Sequence, residues 1–447
     1  MIARFLLKCY FLLLPLKALP DLSSFIPKIT LADLVYIPVG LLALSQAGKL
    51  FDRRWWTSFD LLVLAWFLVE ALSTGLGGGS TTSLAELAAC FYLGCLYFSM
   101  RLVVDPQHVE GQIAAVIASG GVWGLIAIGG WLSAVLTQEK SIFVLSIPSY
   151  PYLGSLYRAQ ALAGSPNMLL SFLTLGILFC WARLLLVSDR RSIDLALLCT
   201  MLAAMLLTFS RGVLVVGACM AIIYFLSRPE QVRASRRARM LLSLSVFAAT
   251  SAFIFVSHVV VAPNNESAIR QLVAGEYIKG DEPWLTVGSA GHGYALYPSI
   301  YLELKAAALQ VFLDSGARGV GGGNFNRSLA ALKERGIYPK EFNAWDPHST
   351  YFGSLAEYGL IGFVAVCTIL GYLCNKTIAR IRMRDCRDFV SIGLVGVFVA
   401  IVIEASCVDI MNFRQYWFLF ALATTLHSAA RKGGERTRHA PGAGHLE

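Results

Sequence analysis

Long apolar runs recur through almost the whole chain, separated by short polar segments, and they restrict what it can fold into. A helix needs about 20 residues to cross the hydrocarbon core of a bilayer, and each run is long enough or nearly so. Because backbone polar groups cannot stay unpaired in lipid, such runs cross as helices. The predicted spans cover 4–20, 30–46, 58–75, 82–100, 110–136, 163–187, 193–209, 212–227, 240–261, 352–374, 389–406 and 415–430. We therefore expect an all-α integral membrane protein with about twelve transmembrane helices.

The charge content indicates the same class of protein. Only 15% of the 447 residues are charged, whereas soluble proteins carry about 25%. The net charge of +9 lies in short basic clusters between the apolar runs, which is typical of cytoplasmic loops rather than of a surface that binds nucleic acid. The ten cysteines include no CxxC motif and no histidine at zinc spacing, so we expect neither a metal site nor a cofactor.

The basic clusters also predict the topology. They lie at 49–54, 101, 190–191, 228–239, 376–387 and 431–438. All of them reach one side of the membrane if both termini are cytoplasmic, as expected for a bacterial inner-membrane protein. This assigns 1–261 to helices one to nine, 262–351 to a periplasmic loop domain, 352–430 to helices ten to twelve, and 431–447 to a disordered cytoplasmic tail. The loop domain should contain one or two helices, one of them along the amphipathic run from Pro298 to Leu313.

Basic and hydrogen-bonding side chains gather on the predicted periplasmic side, although they come from distant segments. The candidates at this membrane depth are Arg158, Asn167, Ser210, Arg211, His348 and Arg414. Arg211 lies in a hairpin, Ser210-Arg211-Gly212, with no polar loop, so its guanidinium should face the bundle. A planar guanidinium suits bidentate binding of phosphate oxygens, whereas the alternative for each arginine is contact with lipid phosphates.

His348 is the best candidate for a general base on this face. It precedes a predicted helix, and the positive end of the helix dipole favours the neutral imidazole, which can accept a proton. The alternative is a structural histidine. Glu357 lies two turns deeper, where an ionisable residue either binds substrate, anchors a backbone or pairs with an arginine.

The spacing of these residues resembles that of the bacterial O-antigen ligase and polysaccharide polymerase superfamily. His348-Ser349 is followed after nine residues by Gly359-Leu-Ile-Gly362, which is similar to the ligase signature. Three further stretches that resemble the superfamily are Arg158 to Asn167, Ser210-Arg211-Gly212 and Gly319-Val-Gly321-Gly-Gly-Asn324-Phe325. The likeness extends from about 155 to 425.

The resemblance implies a GT-C-like, metal-independent, inverting glycosyltransferase of lipopolysaccharide biosynthesis. Its donor would be a glycan on undecaprenyl diphosphate, and its acceptor a sugar of the lipid A core. By position, His348 would activate the acceptor hydroxyl, and Arg211 would bind the diphosphate with help from Arg158. Ligases typically carry a further arginine near the start of the loop helix, and this chain has none there. Lys305, Arg270 and Arg318 are the candidates to replace it.

Two alternatives remain open from the sequence. A polysaccharide polymerase would use the same donor and chemistry but would add the glycan to another lipid-linked repeat unit. A polysaccharide transporter is a different class, which usually shows two related halves and substrate residues near the midplane. This chain has no evident half-repeat and few mid-span charges, which favours the enzyme.

Overall fold

The computed structural model describes most of the chain. The described residues are 2–17, 30–78, 80–139, 141–150, 154–187, 189–228, 235–274, 277–278, 283–288, 293–340, 342–343, 345–382 and 388–438.

Helices dominate the described residues, as the apolar runs predicted. The fifteen described α-helices are α1 (Ile2–Leu13), α2 (Leu31–Leu44), α3 (Ser58–Leu76), α4 (Thr81–Val103), α5 (Val109–Thr137), α6 (Pro166–Leu186), α7 (Arg191–Leu207), α8 (Val213–Ser227), α9 (Arg236–His258), α10 (Glu266–Ala274), α11 (Ile300–Asp314), α12 (Phe325–Glu334), α13 (Thr350–Arg382), α14 (Phe389–Glu404) and α15 (Arg414–Arg438). Short 3₁₀ turns at Ala47–Phe51 and Pro106–His108 precede α3 and α5.

Each predicted span coincides with one of these helices, but the helices differ in length. Six of them, α3, α4, α5, α6, α9 and α13, are long and apolar enough to cross a membrane by length and composition. Others, such as α2, α8 and α14, are apolar but have 17 residues or fewer. The structure is therefore that of a mainly helical, membrane-embedded protein. α6 lies at the centre of the bundle, with 72% of its apolar stretch buried, whereas α9 lies at the edge, with 11% of its apolar stretch buried.

Two small antiparallel sheets were not predicted. A hairpin of β1 (Val144–Tyr150) and β2 (Gly154–Ala159) pairs Val144 with Ala159. A second sheet has the order β3-β5-β4, from β3 (Val259–Pro263), β4 (Leu285–Val287) and β5 (Tyr294–Pro298). These strands are only three to seven residues long, too short for an alternating pattern to be recognised in the sequence.

The long segment before α13 contains more structure than expected. It holds three helices, α10, α11 and α12, where the sequence indicated one or two. The predicted amphipathic run corresponds to α11, which buries Leu304, Ala307, Ala308 and Val311 on one face. At the other end of the chain, α15 continues to Arg438, so the predicted disordered tail begins as helix; residues 439–447 lie outside the described part.

A break in α13 shapes the candidate site. Gly359 has φ +69° and ψ −162°, a conformation that is essentially restricted to glycine, and it interrupts the helix after its first turns. A Cβ at Gly359 would lie 2.5 Å from the carbonyl oxygen of Ala317. The glycine-rich segment crosses this break, where the amides of Val320 and Gly321 donate to the carbonyls of Ala356 and Glu357. The break therefore separates a short half-helix, which follows His348, from the long remainder of α13.

Candidate functional site

His348 lies at a corner that hydrogen bonds fix to the loop after α14. The Ser349 hydroxyl donates to the Ala405 carbonyl (3.1 Å), and the Thr350 hydroxyl donates to the Val408 carbonyl (3.0 Å). His348 has φ +45°, which is uncommon for a residue other than glycine, and its amide donates to Asp346 Oδ1 (2.7 Å). Residues in such conformations persist only where their surroundings hold them, and they concentrate at functional sites.

The His348 imidazole is partly enclosed by aromatic rings. Its centroid lies 5.1 Å from the ring of Tyr301 and 5.6 Å from that of Trp345, both in edge-on geometry. Burial lowers the pKa of His348, Asp346 raises it, and the positive charge of Lys305 lowers it further; the net shift is downward. The imidazole is therefore neutral at neutral pH and able to accept a proton.

Arg211 reaches the same aromatic ring from the α7–α8 hairpin. Its guanidinium carbon lies 5.5 Å from the centroid of Tyr301, within the range of a cation–π contact. Its Nη1 donates to the Ser257 carbonyl at the end of α9 (3.1 Å). Tyr301 thus contacts both Arg211 and His348, two residues 137 positions apart that the sequence analysis placed in one site.

Lys305 lies one helical turn after Tyr301 on α11 and joins the same group. Its side chain is buried, its ammonium donates to His258 Nε2, and it lies 3.8 Å from Cys407 Sγ. Burial lowers the pKa of Lys305, Cys407 raises it, and Arg211 lowers it; the net shift is downward. Of the three candidates for the missing arginine, Lys305 is the one that lies beside Arg211 and His348. Arg270 instead forms an exposed ion pair with Glu266 on α10.

Other candidates support the hairpin that carries Arg211. Arg158, on β2, donates from Nε to the Thr208 carbonyl at the start of the hairpin (2.9 Å). Ser210 donates from its hydroxyl to Asn167 Oδ1 at the start of α6 (3.0 Å). These contacts hold Arg158, Ser210 and Asn167 at the hairpin. Among these four candidate residues, Arg211 is the one that contacts Tyr301.

Arg414 and Glu357 make contacts outside the group around Tyr301. Arg414 forms an ion pair with Asp33 (3.1 Å) and donates to Thr30 Oγ1 (2.9 Å), both at the start of α2. Glu357 accepts from the amides of Gly323 (3.1 Å) and Phe325 (3.4 Å), and so it caps the start of α12. Of the readings open for Glu357 from the sequence, this contact matches the backbone anchor.

A cavity of about 200 Å³ lies next to the His348 corner and has an acidic lining. Its carboxylates come from Glu70, Glu86, Asp346, Glu357 and Asp409, and no basic side chain is among its described lining residues. The buried Glu70 Oε2 has no hydrogen-bond partner among the described residues. Burial raises the pKa of Asp409 to about 6. Pro347 and Ser349 line this cavity, while the ring of His348 contacts Tyr301.

The site is therefore electrostatically divided. Arg211 and Lys305 supply positive charge on the Tyr301 side of His348, and the carboxylates lie on the other side of the corner. An anionic group suits the first side, and a ligand rich in hydroxyl groups suits the second because carboxylates accept hydrogen bonds. Among the described residues, no group of three or more His, Cys, Asp or Glu side chains is arranged to hold a metal ion.

Several residues that shape this site were not predicted from the sequence, among them Tyr301, Asp346 and Glu70. Tyr301 precedes the predicted residue Lys305 by four positions, the spacing of one helix face, and Asp346 stands two residues before His348. Glu70 is an ionisable residue inside a predicted span, which by itself suggests function. His258, at the end of α9, contacts Lys305.

No protein-family model matches the chain, and a comparison with curated proteins finds no match. What the protein does must therefore be inferred from the site itself.

Proposed function

We propose that this chain is an inverting glycosyltransferase of the O-antigen ligase type, which moves a glycan from undecaprenyl diphosphate to a sugar hydroxyl at the periplasmic face of the inner membrane. The observation that carries the proposal is the contact of Tyr301 with both Arg211 and His348. This contact places Arg211, the proposed phosphate-binding residue, and His348, the proposed neutral base, against the same Tyr301 ring.

The proposed topology has twelve spans with both termini in the cytoplasm. Contacts between the basic segments support it: Arg101 donates to the Trp55 carbonyl (3.4 Å) and to Ser428 Oγ (3.3 Å). Three of the segments that the positive-inside rule assigns to the cytoplasm therefore meet at one end of the bundle. The His348 corner lies at the end of the bundle opposite to these basic segments, which agrees with a periplasmic site.

In this proposal the donor diphosphate binds on the cationic side. Arg211 is exposed enough to meet a ligand from the membrane, while the buried Lys305 supplies a second positive charge behind it. Cations fixed in place stabilise the charge that develops on the leaving diphosphate. The polyprenyl chain then extends sideways into lipid.

His348 is the proposed general base. Its Nδ1 lies 3.3 Å from Asp346 Oδ1, and in this proposal Nδ1 keeps its proton beside that carboxylate while Nε2 accepts the proton of the hydroxyl. The acceptor oxygen attacks the anomeric carbon as the bond from that carbon to the diphosphate oxygen breaks. The bonding electrons leave with the diphosphate, the hydroxyl proton passes to His348, and the configuration at the anomeric carbon inverts.

The acceptor sugar occupies the acidic cavity in this arrangement. Its hydroxyls donate to carboxylates such as Glu70, whose Oε2 has no partner in the described structure. Asp346 and Asp409 disfavour phosphate groups in this cavity, so the sugar that enters should be neutral or bear an amine. A sugar of the lipid A core is the proposed acceptor, and the terminal sugar of a second lipid-linked repeat, as in a polymerase, is the alternative.

The test uses purified protein in detergent with an undecaprenyl-diphosphate-linked glycan as donor. Lipid A core and a second donor molecule are supplied separately as acceptors, and the product linkage is analysed. Transfer with inversion to the core supports a ligase, and chain extension on the carrier supports a polymerase. Failure to transfer to either acceptor, with movement of the donor lipid in vesicles, would refute the enzyme and favour the transporter.

A further inference from the structure

A second cavity, of about 900 Å³, lies far from His348 at the opposite end of α13. It is lined by the start of α3, the C-terminal half of α13 and the middle of α15, with Thr57, Lys376 and His427 among its lining residues. Beyond its break at Gly359, α13 extends for roughly 24 Å between Leu360 and Lys376 at 1.5 Å per residue. No residue of the proposed active site lines this cavity.

The mouth of this cavity is positively charged. Arg53, Lys376 and Arg380 line it, and no Asp or Glu is among its described lining residues. Arg380 is partly neutralised by Asp388 (3.5 Å), whereas Arg53 and Lys376 are exposed. The charges therefore favour an anionic ligand at the mouth.

One further feature of the lining suits a phosphate group. The first residues of α3, Ser58 and Phe59, also line the cavity, but the Asp60 carboxylate already caps this helix by accepting from the Thr57 amide (2.7 Å), so the helix dipole adds no separate anion site. His427 Nε2 is buried and has no hydrogen-bond partner among the described residues. A ligand oxygen would supply the partner that this nitrogen lacks.

The rest of the lining is apolar and reaches the lipid-facing surface. Leu61 and Leu64 are 58% and 41% exposed on α3, and Phe59 stacks on Tyr372 at 5.7 Å between their ring centroids. Trp56 lies at the charged end, where tryptophan is enriched at the membrane interface. A charged mouth that continues into an apolar crevice fits an amphiphile better than a soluble anion.

We propose that this cavity is a binding site for an anionic phospholipid. The phosphate of the headgroup binds Arg53 and Lys376 at the start of α3, and the first part of an acyl chain lies along Leu61 and Leu64. This site does not depend on the proposed glycosyl transfer. It predicts a preference for a lipid with net negative charge over a zwitterionic lipid of the same chain length.

The experiment compares phosphatidylglycerol with phosphatidylcholine of identical chains. Delipidated full-length protein in detergent is titrated with each lipid, and the bound lipid is counted by native mass spectrometry. The test variant is Arg53→Glu/Lys376→Glu. The matched control is Arg236→Glu/Arg237→Glu, which reverses two exposed charges at the start of α9, at the same end of the bundle.

We expect the test variant to bind phosphatidylglycerol at least about tenfold more weakly, since each basic residue near a membrane surface contributes to anionic lipid binding. The control should change less than about twofold. Equal binding of the two lipids by the wild type, or an equal loss in the control, would overturn the proposal. Displacement by inorganic phosphate alone would also overturn it, because the ligand would then be a soluble anion.

A second variant covers the possibility that the double charge reversal disturbs folding. Leu64→Trp adds bulk to a side chain that is already exposed, so it should narrow the crevice without loss of the core. It should weaken phosphatidylglycerol binding while the thermal unfolding midpoint stays that of the wild type. Undiminished binding by a folded Leu64→Trp protein would show that the acyl chain does not lie in the crevice.

Discussion

Replacement of Tyr301 tests the arrangement on which the proposed function rests. The ring contacts the Arg211 guanidinium at 5.5 Å and the His348 imidazole at 5.1 Å. A cation–π contact at a partly exposed position contributes about 0.5–1 kcal/mol, and an edge-on ring pair about 0.5–1.5 kcal/mol. If both contacts hold the catalytic geometry, Tyr301→Leu should raise the barrier to transfer by about 1–2.5 kcal/mol, which is roughly 5- to 70-fold in kcat/KM.

Tyr301→Phe is the matched control because it keeps the ring and removes only the hydroxyl. We expect its kcat/KM to stay within about threefold of the wild type, since neither ring contact involves the hydroxyl. The assay is transfer from the lipid-linked donor by purified protein, with the thermal unfolding midpoint measured alongside. If Tyr301→Leu transfers as fast as the wild type, or if Phe is as damaging as Leu, the ring does not organise the site.

Three other substitutions address single residues. His348→Ala should reduce transfer roughly 10²-fold or more without change in the unfolding midpoint, as loss of a general base should, and near-normal product would exclude that role. Arg211→Lys should raise KM for the donor, because an ammonium cannot form the bidentate contact. An unchanged KM would contradict bidentate phosphate binding by the Arg211 guanidinium. Gly359→Ala should destabilise the protein by about 1–3 kcal/mol in detergent unfolding, because its conformation is essentially restricted to glycine. Gly371→Ala, in the same helix with nothing within 4 Å of an added Cβ, is the control and should be neutral or stabilising.

Helix positions were predictable from the sequence because the membrane imposes a single period and length on apolar runs. The observed helices overlap the predicted spans even where α1, α2 and α8 are shorter than predicted. The small sheets were not predictable, because strands such as Leu285–Val287 gain their pairing from a partner elsewhere in the chain. The same holds for the break in α13: Gly359 belongs to the ligase-like signature, but its φ of +69° occurs where the glycine-rich segment crosses the helix.

The residues of the candidate site that carry a local sequence signal could be predicted, whereas the partners that they meet in the fold could not. Arg211 and His348 each carry a local signal, one in a hairpin without a polar loop and the other before a helix. Arg414 carries the same type of signal, but the carboxylate of Asp33, 381 positions earlier, pairs with it. Which basic residue meets a carboxylate and which meets an aromatic ring depends on long-range packing, and no spacing in one sequence encodes it.

The cations beside His348 also lead to a prediction about pH. Burial, and to a smaller extent Lys305, lower the pKa of His348 against the opposing effect of Asp346, so in the free protein the imidazole stays neutral to a pH below its ordinary value. A base is active only when deprotonated, so transfer should fall on the acid side as pH drops through that pKa.

A bound diphosphate would offset the charge of Lys305 and Arg211, which removes part of this effect and raises the pKa of His348. The acid limb should therefore lie at higher pH in the profile of kcat, which reports the complex, than in that of kcat/KM, which reports the free protein. In Lys305→Met the limb of kcat/KM should move to higher pH and the separation between the two profiles should shrink. Coincident limbs in the wild type, or a limb that Lys305→Met leaves in place, would mean that the diphosphate does not bind beside Lys305.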